Sequence, residues 1–319
     1  MTATWSQRRE LGVFAATVAL ILVLAFCTQG YFTHENLLDL FLSIMPVMII
    51  AIGMTMIILT GHIDISIGSI FAICSVVAGL SAAAGLSTIA GSLLACVVGA
   101  LCGMFNGALV AGLGIPSIVV TLATMVILRD GLRWKTQGSW VQGLPASFQW
   151  FGLSPTQYVV LCFAGVLLLL LMAAFGLRYL PIGRTIFATG SNEAAARIAG
   201  IDTKRVVFSV FTITGALTGL AAVLNSTRFN QVPSNSGLGL EMKVIAAVAV
   251  GGAAITGGSA SIAGTVLGVI LLGCISSALT FLGISAYWEK AIQGGIILIA
   301  IAVDAVKIYR KPNANIIPA

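Results

Sequence analysis

The chain has little charge. Only 8% of its 319 residues are Asp, Glu, Lys or Arg, against roughly 25% in a soluble globular protein, too few to cover a folded surface with groups that water solvates. That shortage excludes a soluble enzyme, a disordered tail and a nucleic-acid module. Histidine is scarcer still: His34 and His62 are the two, and neither stands at a metal-ligand spacing from a cysteine or carboxylate. The six cysteines (Cys27, Cys74, Cys96, Cys102, Cys162 and Cys274) lie in apolar stretches and form no C-x-x-C pair. They read as free thiols packed as small hydrophobes, and no metal site is expected. The G-x-x-x-x-G-K-[ST] phosphate loop, H-E-x-x-H and G-x-S-x-G are missing, and Gly237-x-Gly239 lacks the third glycine of a dinucleotide fingerprint. Acids inside apolar stretches are too sparse for a proton relay. The energy that drives this protein must come from elsewhere.

What is present is hydrophobic: 59% of residues, with a mean hydropathy of +1.08. Each crossing of a bilayer core takes about 20 mainly apolar residues. The apolar blocks divide into about ten candidate spans, at residues 11–28, 41–60, 65–84, 89–113, 115–128, 158–177, 206–224, 244–256, 262–282 and 291–306. The expected fold is an all-α polytopic transmembrane helix bundle, in contact with membrane lipid on its outside. Arg8 and Arg9 before the first apolar block resemble the start of a signal peptide. No A-x-A cleavage site follows, so an uncleaved first helix is expected.

The net charge of +6 and pI near 9.2 fit Lys and Arg gathering in cytoplasmic loops; no basic run interleaved with aromatics suggests nucleic acid. Residues 178–205 hold Arg178, Arg184, Arg197, Lys204 and Arg205, and the C-terminus holds Lys307, Arg310 and Lys311. With Arg8 and Arg9 inside, ten spans put ten of the sixteen basic residues on the inner face and both termini in the cytoplasm. The polar connection at 129–157, with Trp134, Trp140 and Trp150, then faces outward, where interfacial aromatics belong.

Three stretches carry candidate function. In Gly61-His62-Ile63-Asp64-Ile65-Ser66-Ile67-Gly68-Ser69, a carboxylate stands between two apolar blocks, a costly position that is a functional hypothesis by default. Gly61 and Gly68 permit a helix break, and Asp64 also fits a plain N-cap of the next span. In residues 190–202, Ser191 or Asn192 can cap a short polar helix in which Glu193 and Arg197 form an i,i+4 pair and Gly200 stops the helix. Its small face, Ala194 and Ala195 included, lets another protein approach closely. The glycine-rich tract around Gly257 and Gly258 reads mainly as close helix packing. Residues 61–72 (GHIDISIGSIFA) and 257–268 (GGSASIAGTVLG) also echo one another at Gly61 with Gly257, Gly68 with Gly264 and Ser69 with Thr265. A repeat of glycine-interrupted segments would point to a transport path.

These stretches, together with Asn106-Gly107, Ile115-Pro116 through Thr121 and Thr124, Gly183-Arg184 and Gly239 through Glu241, run in the order found in a known family. The chain resembles permease subunits of bacterial ATP-binding-cassette importers for monosaccharides, the ribose/xylose/arabinose type. Residues 143–146, 239–243 and 287–294 look most like the rhamnose and autoinducer-2 subgroup. The resemblance implies one permease domain over residues 1–319 in the bacterial inner membrane, paired with a second permease copy or a related one. It implies cytoplasmic ATPase subunits that hold the ATP and Mg²⁺, a periplasmic sugar-binding protein, and no cofactor or catalysis on this chain. Asn192, Glu193, Ala194, Ala195, Arg197, Gly200 and Ile201 would form the helix that couples to the ATPase, within a cytoplasmic loop at 178–205. The glycine comes one residue later than in the E-A-A-x-x-x-G loop of other importers, so that loop's contacts do not transfer. Asp64, Ser66 and Asn106 are the candidates for lining the path. An ion-driven secondary transporter, with Asp64 as its titrating group, and a pathless structural subunit remain the alternatives.

Overall fold

A computed structural model describes residues 5–28, 31–285 and 287–310. Its twelve α-helices are α1 (Trp5–Cys27), α2 (His34–Leu59), α3 (Ile67–Ala83), α4 (Thr88–Gly107), α5 (Ser117–Thr136), α6 (Pro155–Tyr179), α7 (Pro181–Ser191), α8 (Glu193–Ile198), α9 (Thr203–Ser226), α10 (Leu240–Val250), α11 (Ile262–Phe281) and α12 (Tyr287–Arg310). A π-helical turn, Ala108–Gly112, extends α4. Among the described residues, five helical stretches are long and apolar enough to cross a membrane: His34–Leu59, Thr88–Gly112, Pro155–Tyr179, Thr203–Ser226 and Ile262–Phe281. The chain is a helical membrane protein.

Sequence dictates which helices are central. The most apolar window of α2 is 83% buried, and buried residues run continuously from Met45 to Thr55 on every side of the helix, as for a helix enclosed by others. The corresponding window of α6 is 11% buried. Its Val160, Leu161, Phe163, Leu168, Leu171 and Phe175 stand on the outer surface, a face that only lipid tails can solvate.

Inside lipid the hydrophobic effect gives helices no reason to associate, so close packing of small residues and interhelical hydrogen bonds must do it. The largest helix–helix contact is α4 on α9, and it rests on a glycine stripe. A Cβ on Gly99 or Gly103 would collide with the backbone at Gly215 or Phe211, and one on Gly107 would lie 3.1 Å from Phe208 Cα. The stripe follows a G-x-x-x-G-x-x-x-G spacing, which puts the three glycines on one helix face.

Proline is accommodated just as specifically. Pro46 lies inside α2 and has no N–H to give the carbonyl four residues back, Leu42 O. That carbonyl instead accepts a 2.8 Å hydrogen bond from Arg228 Nη1, beyond the end of α9. A backbone group freed in the membrane is thereby satisfied by another segment.

The helices depart from the expected blocks in places. The fifth span was expected to end at Leu128, but α5 continues to Thr136 and carries Arg129 within it. The block at 244–256 is a shorter helix, α10, followed by non-helical backbone to Ser261. The loop at 178–205 holds two helices where one was expected, because Pro181 opens α7 ahead of α8.

Replacing Gly103 with Val should force α4 and α9 apart, at a cost of about 1–3 kcal/mol for overpacking. Detergent-solubilised protein should unfold at a visibly lower temperature. Gly165→Val on α6, where an added Cβ meets nothing within 4 Å, should leave the unfolding temperature unchanged.

Candidate functional site

Three helix breaks converge at one end of the bundle. α2 ends at Leu59, and Gly61 turns the chain with a φ of 80°. The segment after α10 turns through Gly257, φ 92°, and Gly258, φ 75°; side chains rarely tolerate these angles. Gly258 N donates to Leu59 O at 2.9 Å. A Cβ on Gly257 would lie 2.9 Å from Gly190 O, in the last turn of α7, and 3.0 Å from Gly61 Cα. Backbone therefore touches backbone among Gly61, Gly190 and Gly257. The echoing glycines of the two halves, Gly61 and Gly257, are in contact, and each follows one helix and precedes another.

Beside this junction stands α8. Asn192 is its N-cap and accepts from Ala195 N at 3.0 Å. Arg197 Nη2 pairs with Glu193 Oε1 at 2.6 Å, and Thr203 Oγ1 joins both, 3.0 Å from Arg197 Nε and 3.1 Å from the same carboxylate oxygen. Gly200, φ 82°, ends the helix: Gly200 N donates to Arg197 O and Ile201 N to Ala196 O, each at 3.0 Å. The only side chain of α8 buried in the bundle is Ala196; Glu193, Ala194, Ala195 and Arg197 are exposed and Ile198 is 90% exposed.

Asp64, Ser66 and Asn106 come together although 42 residues separate the first from the last. Asp64 Oδ1 accepts from Ser66 N at 2.8 Å and from Ser66 Oγ at 2.6 Å. Ser66 Oγ in turn accepts from Asn106 Nδ2 at 2.8 Å, and Thr124 Oγ1 donates to Asn106 Oδ1 at 2.8 Å. The network ties the start of α3 to α4 and α5. Asp64, Ser66 and Asn106 are fully buried, and Asp64 Oδ2 has no hydrogen-bond partner among the described residues. Asp64 does not cap α3: Ser66 holds that position, and Asp64 instead bonds two residues ahead of itself.

One turn further along α3, Gly68 leaves room for an ion pair. Arg129 Nη2 of α5 lies 3.7 Å from Glu241 Oε2 of α10, and an added Cβ at Gly68 would strike that carboxylate and sit 2.6 Å from Gly237 O. Gly68 is thus a packing position and does not break α3. Arg129 Nε also donates to Ser69 Oγ at 3.2 Å. On opposite sides of this layer lie two cavities of about 370 Å³ each. The first, beside α8, is lined by Gly61, His62, Pro116, Glu193, Arg197 and Thr203 among others. The second touches Ser43, Phe71, Asn225, Gly237, Lys243 and Glu289.

A family model described as "branched-chain amino acid transport system / permease component" matches residues 36–301. The chain belongs to this family of ATP-binding-cassette importer permeases. Similar relatives include the autoinducer 2 import system permease protein LsrC of Photorhabdus laumondii, 33% identical over 93% of this chain and 90% of the relative. The protein of the same name from Klebsiella pneumoniae is 36% identical over 94% of this chain and 88% of its own length. That from Enterobacter sp. is 35% identical over 94% and 88%. No solved structure matches.

Sequence reasoning about the permease found the Asp64 network's members and the elements of α8 one at a time. It gave Arg129 and Lys243 no partner, and the structure supplies one for each. Arg129 pairs with Glu241, which is itself buried, and Lys243 Nζ pairs with Glu289 at 3.0 Å. The only available signal was charge falling in helical register inside apolar stretches. Arg129→Met should leave the Glu241 carboxylate buried and unpaired, a loss of about 3–5 kcal/mol. The double replacement Arg129→Met with Glu241→Met should recover most of it, measured as unfolding temperature in detergent.

Proposed function

We propose that this permease forms the inner-membrane translocation path of an ATP-driven importer for a small sugar-like solute. It crosses the membrane ten times through α1–α6 and α9–α12, with both termini and the α7–α8 end in the cytoplasm. A second permease copy, identical or related, completes the path, and a periplasmic binding protein delivers the solute. ATP and Mg²⁺ belong to separate ATPase subunits that dock on α8.

The observation that carries this reading is the exposed α8 set against the glycine junction. A short helix stiffened by its own Glu193–Arg197–Thr203 cluster presents Ala194, Ala195 and a bare Ile198 outward. Three residues before it, Gly190 lies against the backbone of both helix breaks. Movement of α8 would therefore be passed by hard contact to the turns that lead into α3 and α11, without a flexible side chain at the contact. Asp64, Ser66 and Asn106 stand in the layer between the two cavities. They act as the closed part of the path, which a shift of α3 against α4 would open.

For the solute, the relatives' printed function favours the sugar-like signal autoinducer 2 over ribose or rhamnose. The family's description mentions amino acids, so membership alone does not choose.

Ala195→Trp and Ile198→Asp should each abolish co-purification of the ATPase and ATP-dependent uptake, while membrane insertion and unfolding temperature stay unchanged. Normal uptake by both variants would remove α8 from the coupling role. Uptake of autoinducer 2 with no uptake of ribose or rhamnose by the complete importer would establish the solute.

A further inference from the structure

The cavity farther from α8 has a wall whose hydrogen-bonding capacity is only half used. Glu289 Oε1 accepts from Lys243 Nζ at 3.0 Å, from Ser276 Oγ at 2.5 Å and from Gln293 Nε2 at 3.0 Å. Three donors converge on one oxygen, while Glu289 Oε2 accepts nothing among the described residues. Lys243 Nζ gives a second hydrogen to Ser276 Oγ at 3.2 Å and retains a third. Across the cavity, the half-buried Asn225 makes no side-chain hydrogen bond among the described residues, leaving an amide donor and a carbonyl acceptor. The wall thus offers uncommitted donors and acceptors together, which is what a hydroxyl needs, since it gives one hydrogen and accepts others.

Charge narrows the class of solute. Lys243 and Glu289 neutralise one another, so the wall offers a carboxylate or an ammonium no net counter-charge, only uncommitted hydrogen-bonding groups. Lys290 is exposed at the rim, where water screens it. At about 370 Å³ the space admits a small polyol with water around it. Ser43, Asn225 and Gln293 come from α2, α9 and α12, so relative movement of these helices changes the fit and releases what is held.

We infer that this cavity is the permease's own weak binding vestibule for an uncharged, hydroxyl-rich solute, with Glu289, Lys243, Gln293 and Asn225 as its contacts. The inference rests on the importer reading above and adds a solute class and named residues to it.

The test uses the complete importer, permease with ATPase and binding protein, in liposomes. Ser43→Cys supplies a thiol at the cavity, and its alkylation by a small maleimide is followed after subtracting the wild-type rate. D-Ribose and L-rhamnose, used as free polyols at tens of millimolar whether or not the binding protein delivers them, should slow alkylation about threefold, as roughly two-thirds occupancy of a weak site requires; L-leucine and D-gluconate should not. Adding Glu289→Gln should abolish protection by the sugars and create protection by D-gluconate, because Lys243 is then unpaired. A purely structural Glu289 would not produce that gain. Unchanged alkylation in both sugars, in a complex that still takes up its solute with ATP, overturns the vestibule alone. Protection by L-leucine equal to that by the sugars overturns the solute class. Failure of the chain to co-purify with the ATPase or support ATP-dependent uptake overturns the importer reading and this inference with it.

Discussion

The structure depends on backbone meeting backbone where Gly61, Gly190 and Gly257 touch. Three chain reversals, after α2, α7 and α10, occupy a space that would not hold three side chains. A hydrogen bond from Gly258 to Leu59 locks two of them. Glycine is required there on two counts, by positive φ at Gly61 and Gly257 and by proximity at Gly190 and Gly257. Because peptide groups are stiff and nothing soft lies between them, the last turn of α7 is held in hard contact with the turns that follow α2 and α10.

The rest of the bundle follows the same logic of removing bulk where helices meet and giving the polar residues that enter the membrane partners on other segments. Gly99, Gly103 and Gly215 let α4 and α9 approach to backbone contact, and Gly68 clears the volume in which Arg129 and Glu241 meet. Pro46 frees a carbonyl that Arg228 takes up. Asp64 is held by Ser66, Ser66 by Asn106, and Asn106 by Thr124. In hydrocarbon an unmet polar group costs several kcal/mol, so these partnerships decide which faces of α3, α5 and α10 turn inward. They also form the layer that separates one cavity from the other.

That arrangement suits a passive path worked from outside. No residue on the path needs to react, and the acids are held by neighbours rather than arranged as a relay. The two cavities have different walls. One includes the Glu193–Arg197 pair of α8 itself, and the other includes the Lys243–Glu289 pair of α10 and α12. Between them stands α3 near Gly68, beside the Arg129–Glu241 pair.

The shortage of charge and the excess of apolar residues by themselves determined a membrane-embedded helical bundle, since no other solvent suits such a surface. The spacing of Asn192, Glu193, Arg197 and Gly200 likewise determined a short capped helix, because caps and i,i+4 pairs are local. The ordered motifs determined the family. What only the tertiary structure decided was pairing between distant segments. Arg129 and Glu241, Lys243 and Glu289, and Asp64 through Ser66 with Asn106 are joined across 112, 46 and 42 residues of chain. Hydropathy assigned Arg129 to a loop because Arg129, Asp130, Arg133 and Lys135 together look like the end of an apolar window. A charge whose partner lies on another helix gives no local signal of that partner, and only packing brings the two together.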